Sequence, residues 1–270
     1  MNDFPSSIKN LLFEEGKVFQ DQYGNDVSAL GTGIIPIVGT ARSGKTSLAY
    51  AMLEWVIDNT KRDVILDSFP QVIIDEAFPS KFEGRIFNHA FIDIAKVDRS
   101  SVWLVDDTGA SFNSRDAMTG NSKTLSKVAG ILSHWEQTVI FTTQLFSAVD
   151  LSFLRYTALA PIMRRVDPSV ISQERPQFQE MVRQANHVLK SVSKIPYYRD
   201  FYFDVKNEMV CESPFPKWID KNLNPKKADM LSKPMKYHDL EMKMKIIGQK
   251  PPPKAKKRGR PPKTTPEDEA

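Results

Sequence analysis

A single cysteine, Cys211, stands among 270 residues, which excludes an internal disulfide and suits a reducing interior. The four histidines are scattered and, with one cysteine, leave no zinc-type ligand cluster. Any metal is therefore expected to arrive with another ligand. The longest apolar runs are short and broken by charge, and none approaches the roughly 20 residues of a membrane span. Met1-Asn2-Asp3-Phe4-Pro5 has neither the basic start nor the apolar stretch of a secretory signal. The expectation is a protein that is not secreted and has no integral membrane segment.

At 41% apolar and 26% charged residues, the chain can bury one sizeable core and carry an appendage. Its net charge of +4 conceals a division. Residues 221–270 hold fourteen Lys/Arg and six Asp/Glu, a balance of +8, which leaves −4 for residues 1–220. Attraction to a polyanion is therefore concentrated in the tail. Three segments follow: a polar lead-in over 1–30, a folded body over 31–220, and a basic tail over 221–270.

The most specific stretch is Gly39-Thr40-Ala41-Arg42-Ser43-Gly44-Lys45-Thr46, a complete G-x-x-x-x-G-K-[ST] phosphate-binding loop. The glycines let successive backbone N–H groups turn around a polyphosphate, and the following helix presents its positive end. Lys45 would reach the β- and γ-phosphates, Thr46 would hold Mg²⁺, and the nucleotide cradle runs from Gly39 to Ser47. Ile34 to Val38 reads as a buried strand with Pro36 as its blemish, while Leu48, Met52 and Trp55 recur at helical spacing. Strand, loop and helix form the context that the motif requires. Asp63 to Asp67 reads as a second strand, completing a βαβ unit.

Two acidic stretches compete for the partner role. Val72-Ile73-Ile74-Asp75-Glu76 is better explained by a helix starting at Pro70. Ser101-Val102-Trp103-Leu104-Val105-Asp106-Asp107 is an apolar run ending in two carboxylates, as expected of a parallel strand buried on both faces. Ligands of open α/β sheets sit at such strand ends. Asp106 is therefore the candidate Mg²⁺ ligand, and Asp107 the candidate for polarising the attacking water. Residues 108–123 read as a surface loop carrying Arg115, and Leu125 to Leu132 as an amphipathic helix leading to His134-Trp135. Thr138 to Gln144 reads as another strand, with Gln144 able to orient water against a γ-phosphate. Arg155, Arg164 and Arg165 are candidate donors of transition-state charge. Further elements are a strand over Thr157–Met163, a helix marked by Phe178 to Leu189, and a β pair over Tyr197–Val205 and Glu208–Glu212.

Eight of eighteen prolines lie in 221–270, and this composition predicts a largely disordered tail. Within it, residues 256–263 resemble an AT-hook. In that family the core, here Arg258, Gly259, Arg260 and Pro261, lies extended in the minor groove of A·T-rich DNA. A nuclear-localisation peptide or a generic polyanion-binding tail has the same composition.

The order of phosphate loop, Leu104-Val105-Asp106-Asp107, Arg115, His134-Trp135, Val139 to Gln144 and Leu154-Arg155 resembles the FtsK/HerA superfamily of DNA-pumping ATPases. It is most similar to the compact virus-type packaging ATPases and their Zot-like relatives, over about residues 30–215. The resemblance implies an α/β P-loop NTPase of the ASCE/RecA-like type, with a mostly parallel central sheet flanked by helices and an extra strand between the two Walker motifs. It also implies ATP and Mg²⁺ as cofactors, with Lys45, Asp107, Gln144 and Arg155 as the catalytic set. A homo-oligomeric, hexameric ring acting on double-stranded DNA follows, with a capsid portal or vertex protein as partner. The place of action would be the host cytoplasm, extending to the virion. Many members carry glutamate after the Walker B aspartate, whereas this chain carries the shorter Asp107. Alternatives are a Zot-like ATPase of phage extrusion, a small-molecule kinase, and a non-motor protein that binds AT-rich DNA.

Overall fold

Strands buried on both faces require unbroken apolar runs, and three such runs make the middle of the sheet. The computed structural model describes residues 4–66, 78–88, 100–106, 135–149, 151–155, 159–192, 200–216 and 218. The elements are α1 (Ser6–Leu12), β1 (Val18–Gln20), β2 (Asp26–Ser28), β3 (Gly33–Val38), α2 (Lys45–Asn59), β4 (Val64–Leu66), β5 (Ile86–Asn88), β6 (Val102–Val105), β7 (Thr138–Thr143), α3 (Leu151–Leu154), β8 (Ile162–Met163), α4 (Pro176–Val192), β9 (Phe201–Asp204) and β10 (Met209–Glu212). Chain compactness separates Met1–Ser232 from Lys233–Ala270, and every described residue belongs to the first unit. The Val72–Glu76 stretch, Asp107, Arg115, the expected helix over Leu125–Leu132, His134 and the Arg258–Pro261 motif lie outside the described residues.

The eight-stranded sheet has the order β10-β9-β8-β3-β7-β6-β4-β5. Pairs from β8 to β5 are parallel, and β9 and β10 add an antiparallel edge. The fold is the expected α/β P-loop arrangement, and β7 does stand between β3, which leads into the phosphate loop, and β6, which leads to Asp106. Alternation divides the core between the two faces. Ile35, Ile37, Val102, Leu104 and Ile140 pack with α1 and α2, whereas Ile34, Val38, Trp103, Val105, Val139 and Phe141 pack with α4 and the 145–154 segment.

Pro36 is tolerated because of where its missing N–H would point. Ile34 and Val38 direct their carbonyls to the amides of Ala160 and Arg164, so by alternation Pro36 also faces the β8 side. There the ladder consists of a bridge from Ile34 to Leu159 and then the pairing of Ile37 with Ile162, which sets Pro161 opposite Pro36. The two prolines share one gap in the ladder. Of the strand expected over Thr157–Met163, the described residues show the Leu159 bridge and the two residues of β8, and Thr157 and Ala158 lie outside them.

The lead-in, expected as a polar segment, contains the helix α1 and the short strands β1 and β2. Ile8, Leu11 and Leu12 are fully buried in the α2 side of the core, each contributing on the order of 2 kcal/mol through removal from water. A seven-residue helix is not stable alone, so packing is what holds it. The signal was present as Pro5 followed by apolar residues at i, i+3 and i+4.

Candidate functional site

The phosphate loop leaves the buried end of β3 between two neighbouring strands. Gly39 N–H donates to the Thr143 carbonyl at 3.1 Å on the β7 side. On the β8 side, the Arg165 carbonyl accepts both the Thr40 amide at 3.0 Å and the Thr40 hydroxyl at 3.1 Å. Ala41 and Arg42 form the exposed crest, where Arg42 takes a left-handed φ of 65°. Gly44 follows with φ 88°, a conformation suited to glycine, and α2 starts at Lys45.

No side chain caps the start of α2 and its first turn holds no acidic residue. The positive end of the helix is thus directed at whatever the loop encloses. Ser43 Oγ is buried without a hydrogen-bond partner, an orphaned polar atom inside the curl of the loop. Lys45 Nζ donates to the Thr40 carbonyl at 2.9 Å, bridging the loop from within.

Three elements meet at Asp106. The residue follows β6 and is half-buried, and its carboxylate accepts Thr46 Oγ1 at 3.1 and 3.2 Å and Thr142 Oγ1 at 2.6 Å. The register places Val105 beside Phe141, so Asp106 and Thr142 emerge together. One turn beyond Thr46, Tyr50 is fully buried against Phe78 and Trp218. Burial, and then the charge of Asp106, push its phenol well above the ordinary value and keep it neutral.

Gln144 is exposed immediately beyond Thr143, which pairs with Val38, so it stands at the same sheet edge as Gly39. The structure thus gathers the Gly39–Ser47 loop, Asp106 and Gln144 along one edge. Arg155 is exposed at the end of α3 and contributes none of the hydrogen bonds that hold the loop among the described residues. Asp107, Arg258, Gly259, Arg260 and Pro261 lie outside those residues.

Arg164 is a correction to the sequence reading. Its side chain is fully buried and donates to the Phe201 carbonyl at 2.8 Å, the Gly44 carbonyl at 3.3 Å and Ser213 Oγ. A guanidinium held in this way within its own chain is unavailable to a neighbouring subunit. Thr142 and the Arg165 carbonyl are parts of the site that the sequence motifs do not single out. Thr142 stands with Thr143 where the apolar run Val139–Phe141 ends, which is the signal the sequence offers for it.

The donor set fits a magnesium nucleotide. Hydroxyl and carboxylate oxygens are the hard ligands Mg²⁺ takes, Thr46 and Asp106 already converge, and the loop offers amides, Lys45 and a helix N-terminus to phosphate. Among the described residues there is no cluster of His, Cys, Asp and Glu that would hold a metal by itself, and no helix long and apolar enough to cross a membrane.

No protein-family profile matches the chain, and no curated relative matches it. Solved structures do. ATPases 2 and 3 of EccC from Thermomonospora curvata, in complex with a signal sequence peptide, align at 8% identity and a TM-score of 0.52, covering 82% of this chain and 46% of theirs. ATPases 2 and 3 of EssC from Geobacillus thermodenitrificans align at 12% identity and a TM-score of 0.51, covering 92% and 52%. B204, the DNA-packaging ATPase of Sulfolobus turreted icosahedral virus, aligns at 15% identity and a TM-score of 0.46, covering 68% and 98%. The chain spans about half the length of the EccC and EssC structures. The likenesses to EccC and EssC place it in the P-loop ATPase fold.

Proposed function

We propose that this chain is an oligomeric, Mg²⁺-dependent ATPase that translocates double-stranded DNA, packaging a viral or mobile-element genome in the host cytoplasm. The observation that carries the ATPase reading is the convergence of Thr46, Asp106 and Thr142 beneath the phosphate loop. Bound there, Mg²⁺ would neutralise charge on the β- and γ-phosphates. Thr46 and Asp106 would hold the ion, with Thr142 fixing the carboxylate from the next strand. Lys45 would exchange the Thr40 carbonyl for phosphate oxygen, so that an internal bridge becomes a ligand contact. Asp107, next in the chain, is assigned to take a proton from the attacking water as the bond between the γ-phosphorus and the bridging oxygen breaks. Gln144 orients that water, and Arg155 supplies positive charge to a neighbouring subunit's site in a hexameric ring.

The DNA part of the reading rests on charge. An acidic body with a +8 tail concentrates polyanion attraction in the last fifty residues, and Arg258-Gly259-Arg260-Pro261 suits a narrow minor groove. A capsid portal or vertex protein is the partner such a packaging ring would engage.

The test measures ATP hydrolysis with and without double-stranded DNA, for the full chain, for Lys45→Ala and for a chain lacking 251–270. DNA-stimulated turnover that is lost in Lys45→Ala supports the motor. Absent turnover, with function surviving in Lys45→Ala but lost on tail removal, identifies a non-motor protein of AT-rich DNA. Phosphate transfer to a metabolite identifies a kinase, and membrane association without DNA favours the Zot-like reading.

A further inference from the structure

We infer that Arg164 is a positioning residue for the phosphate loop, tuning nucleotide affinity from the β9–β10 hairpin; this rests on the nucleotide-binding reading above. The guanidinium joins the Gly44 carbonyl to two groups of the hairpin region, the Phe201 carbonyl that opens β9 and Ser213 Oγ just beyond β10. In a trans peptide, C=O and the following N–H point in opposite directions. Holding the Gly44 carbonyl against Arg164 therefore aims the Lys45 amide the other way, into the loop. The Gly44 carbonyl also accepts the Leu48 amide at 3.1 Å, so the peptide is fixed from the helix and from Arg164 together.

The neighbouring contacts reinforce the same junction. Arg165, next in sequence, grips Thr40 at the other end of the loop through its carbonyl. A Cβ on Gly39 would stand 2.6 Å from Arg164 Cβ, so loop and strand end are in direct contact. Both ends of the loop are thus set by two consecutive residues after β8, and one of them is anchored in turn by the hairpin. Ser213 is therefore predicted to influence nucleotide binding although its part in the arrangement is to hold Arg164.

The contacts affected are to phosphate, made alike in the ground and transition states, so KM should rise more than kcat falls. The experiment compares full-length wild type, Arg164→Lys, Arg164→Met and Ser213→Ala. It measures the Kd for a fluorescent methylanthraniloyl-ATP with Mg²⁺, KM and kcat for ATP, and thermal unfolding. Arg62→Lys serves as the control, because the Arg62 side chain is also buried but, among the described residues, donates only to the carbonyls of residues 11–13, 100, 101 and 136.

The expected result is a Kd raised about tenfold in Arg164→Met, within the usual range of coupling between sites. Arg164→Lys and Ser213→Ala should show smaller increases in the same direction, while Arg62→Lys loses thermal stability at unchanged Kd. If the arginine variants do not fold, Ser213→Ala decides alone. Wild-type binding with unchanged Kd in the folded variants overturns this inference and leaves the nucleotide reading intact. Failure of wild type to bind overturns both.

Discussion

At Gly39 a single added methyl group would stand 2.6 Å from Arg164 Cβ, 2.7 Å from Ser43 Oγ and 3.2 Å from the Arg165 carbonyl. The serine hydroxyl can rotate away, but a β-carbon and a backbone carbonyl move only with their strand. Gly39→Ala is therefore expected to cost about 1–3 kcal/mol of stability by overpacking and to weaken nucleotide binding by deforming the loop. Urea denaturation and nucleotide titration on one preparation would check both; unchanged affinity would show that the loop can shift without consequence. The same residues explain what sequence reading recovered at this scale. Lys45, Thr46 and Asp106 were legible because a spaced motif and a strand ending in carboxylates each carry their chemistry locally. Thr142 and the bracing role of Arg164 were not, because they come from strand register and from contacts with residues 36 and 120 positions away. An arginine next to another arginine gives no indication in sequence that the side chain of one, Arg164, is a buried brace while the other, Arg165, is half-buried and meets the loop through its carbonyl.

Among the elements, β3, α2, β6 and β7 were legible from apolar runs and helical spacing, whereas α1 was hidden by its brevity. What joins α1 to the sheet is equally unreadable in sequence. Arg62, placed after α2, donates to the carbonyls of Leu11, Leu12 and Phe13 at the end of α1 and to those of Ser100, Ser101 and Glu136 ahead of β6 and β7. Burial lowers its pKa to about 10, far enough above neutrality for the cation to persist. A lysine cannot reproduce this planar fork, so Arg62→Lys should destabilise the fold by about 3 kcal/mol as buried carbonyls lose their donors. Denaturation midpoints would check it, and a loss below about 0.5 kcal/mol would contradict the clamp, being no larger than an ordinary surface change. A second brace lies behind Gln144. Glu174 accepts the Phe146 amide at 2.6 Å and the Arg175 amide at 2.8 Å, and burial raises its pKa despite these bonds. With the folded value above the unfolded one, its proton-linked stabilisation is complete below the ordinary glutamate range and is lost as pH rises through the folded value. The stability of wild type relative to Glu174→Gln should therefore decline across that window. A difference that stays flat or grows with pH would refute the assignment.

For the whole molecule, the arginine arrangement determines what a single chain can do. Arg164 is committed to its own loop, whereas Arg155 is exposed at the end of α3, away from the bonds that shape that loop. If catalysis draws Arg155 from a neighbouring subunit, the Lys45 and Arg155 of any one site come from different chains. Lys45→Ala and Arg155→Ala should then each abolish most turnover as pure oligomers. In an equal mixture of the two variants, a site is complete when its loop comes from an Arg155→Ala chain and its neighbour is a Lys45→Ala chain. Random assembly makes about a quarter of the interfaces complete in this way, so turnover should recover toward a quarter of the wild-type value. Sites that take both residues from one chain gain nothing from mixing, because each chain still lacks one of them. Recovery on mixing, measured as phosphate release after the oligomers have exchanged subunits, would place Arg155 across the interface. Its absence, with exchange shown by labelled chains, would remove Arg155 from that role and leave Arg165 and Arg115 as the remaining candidates.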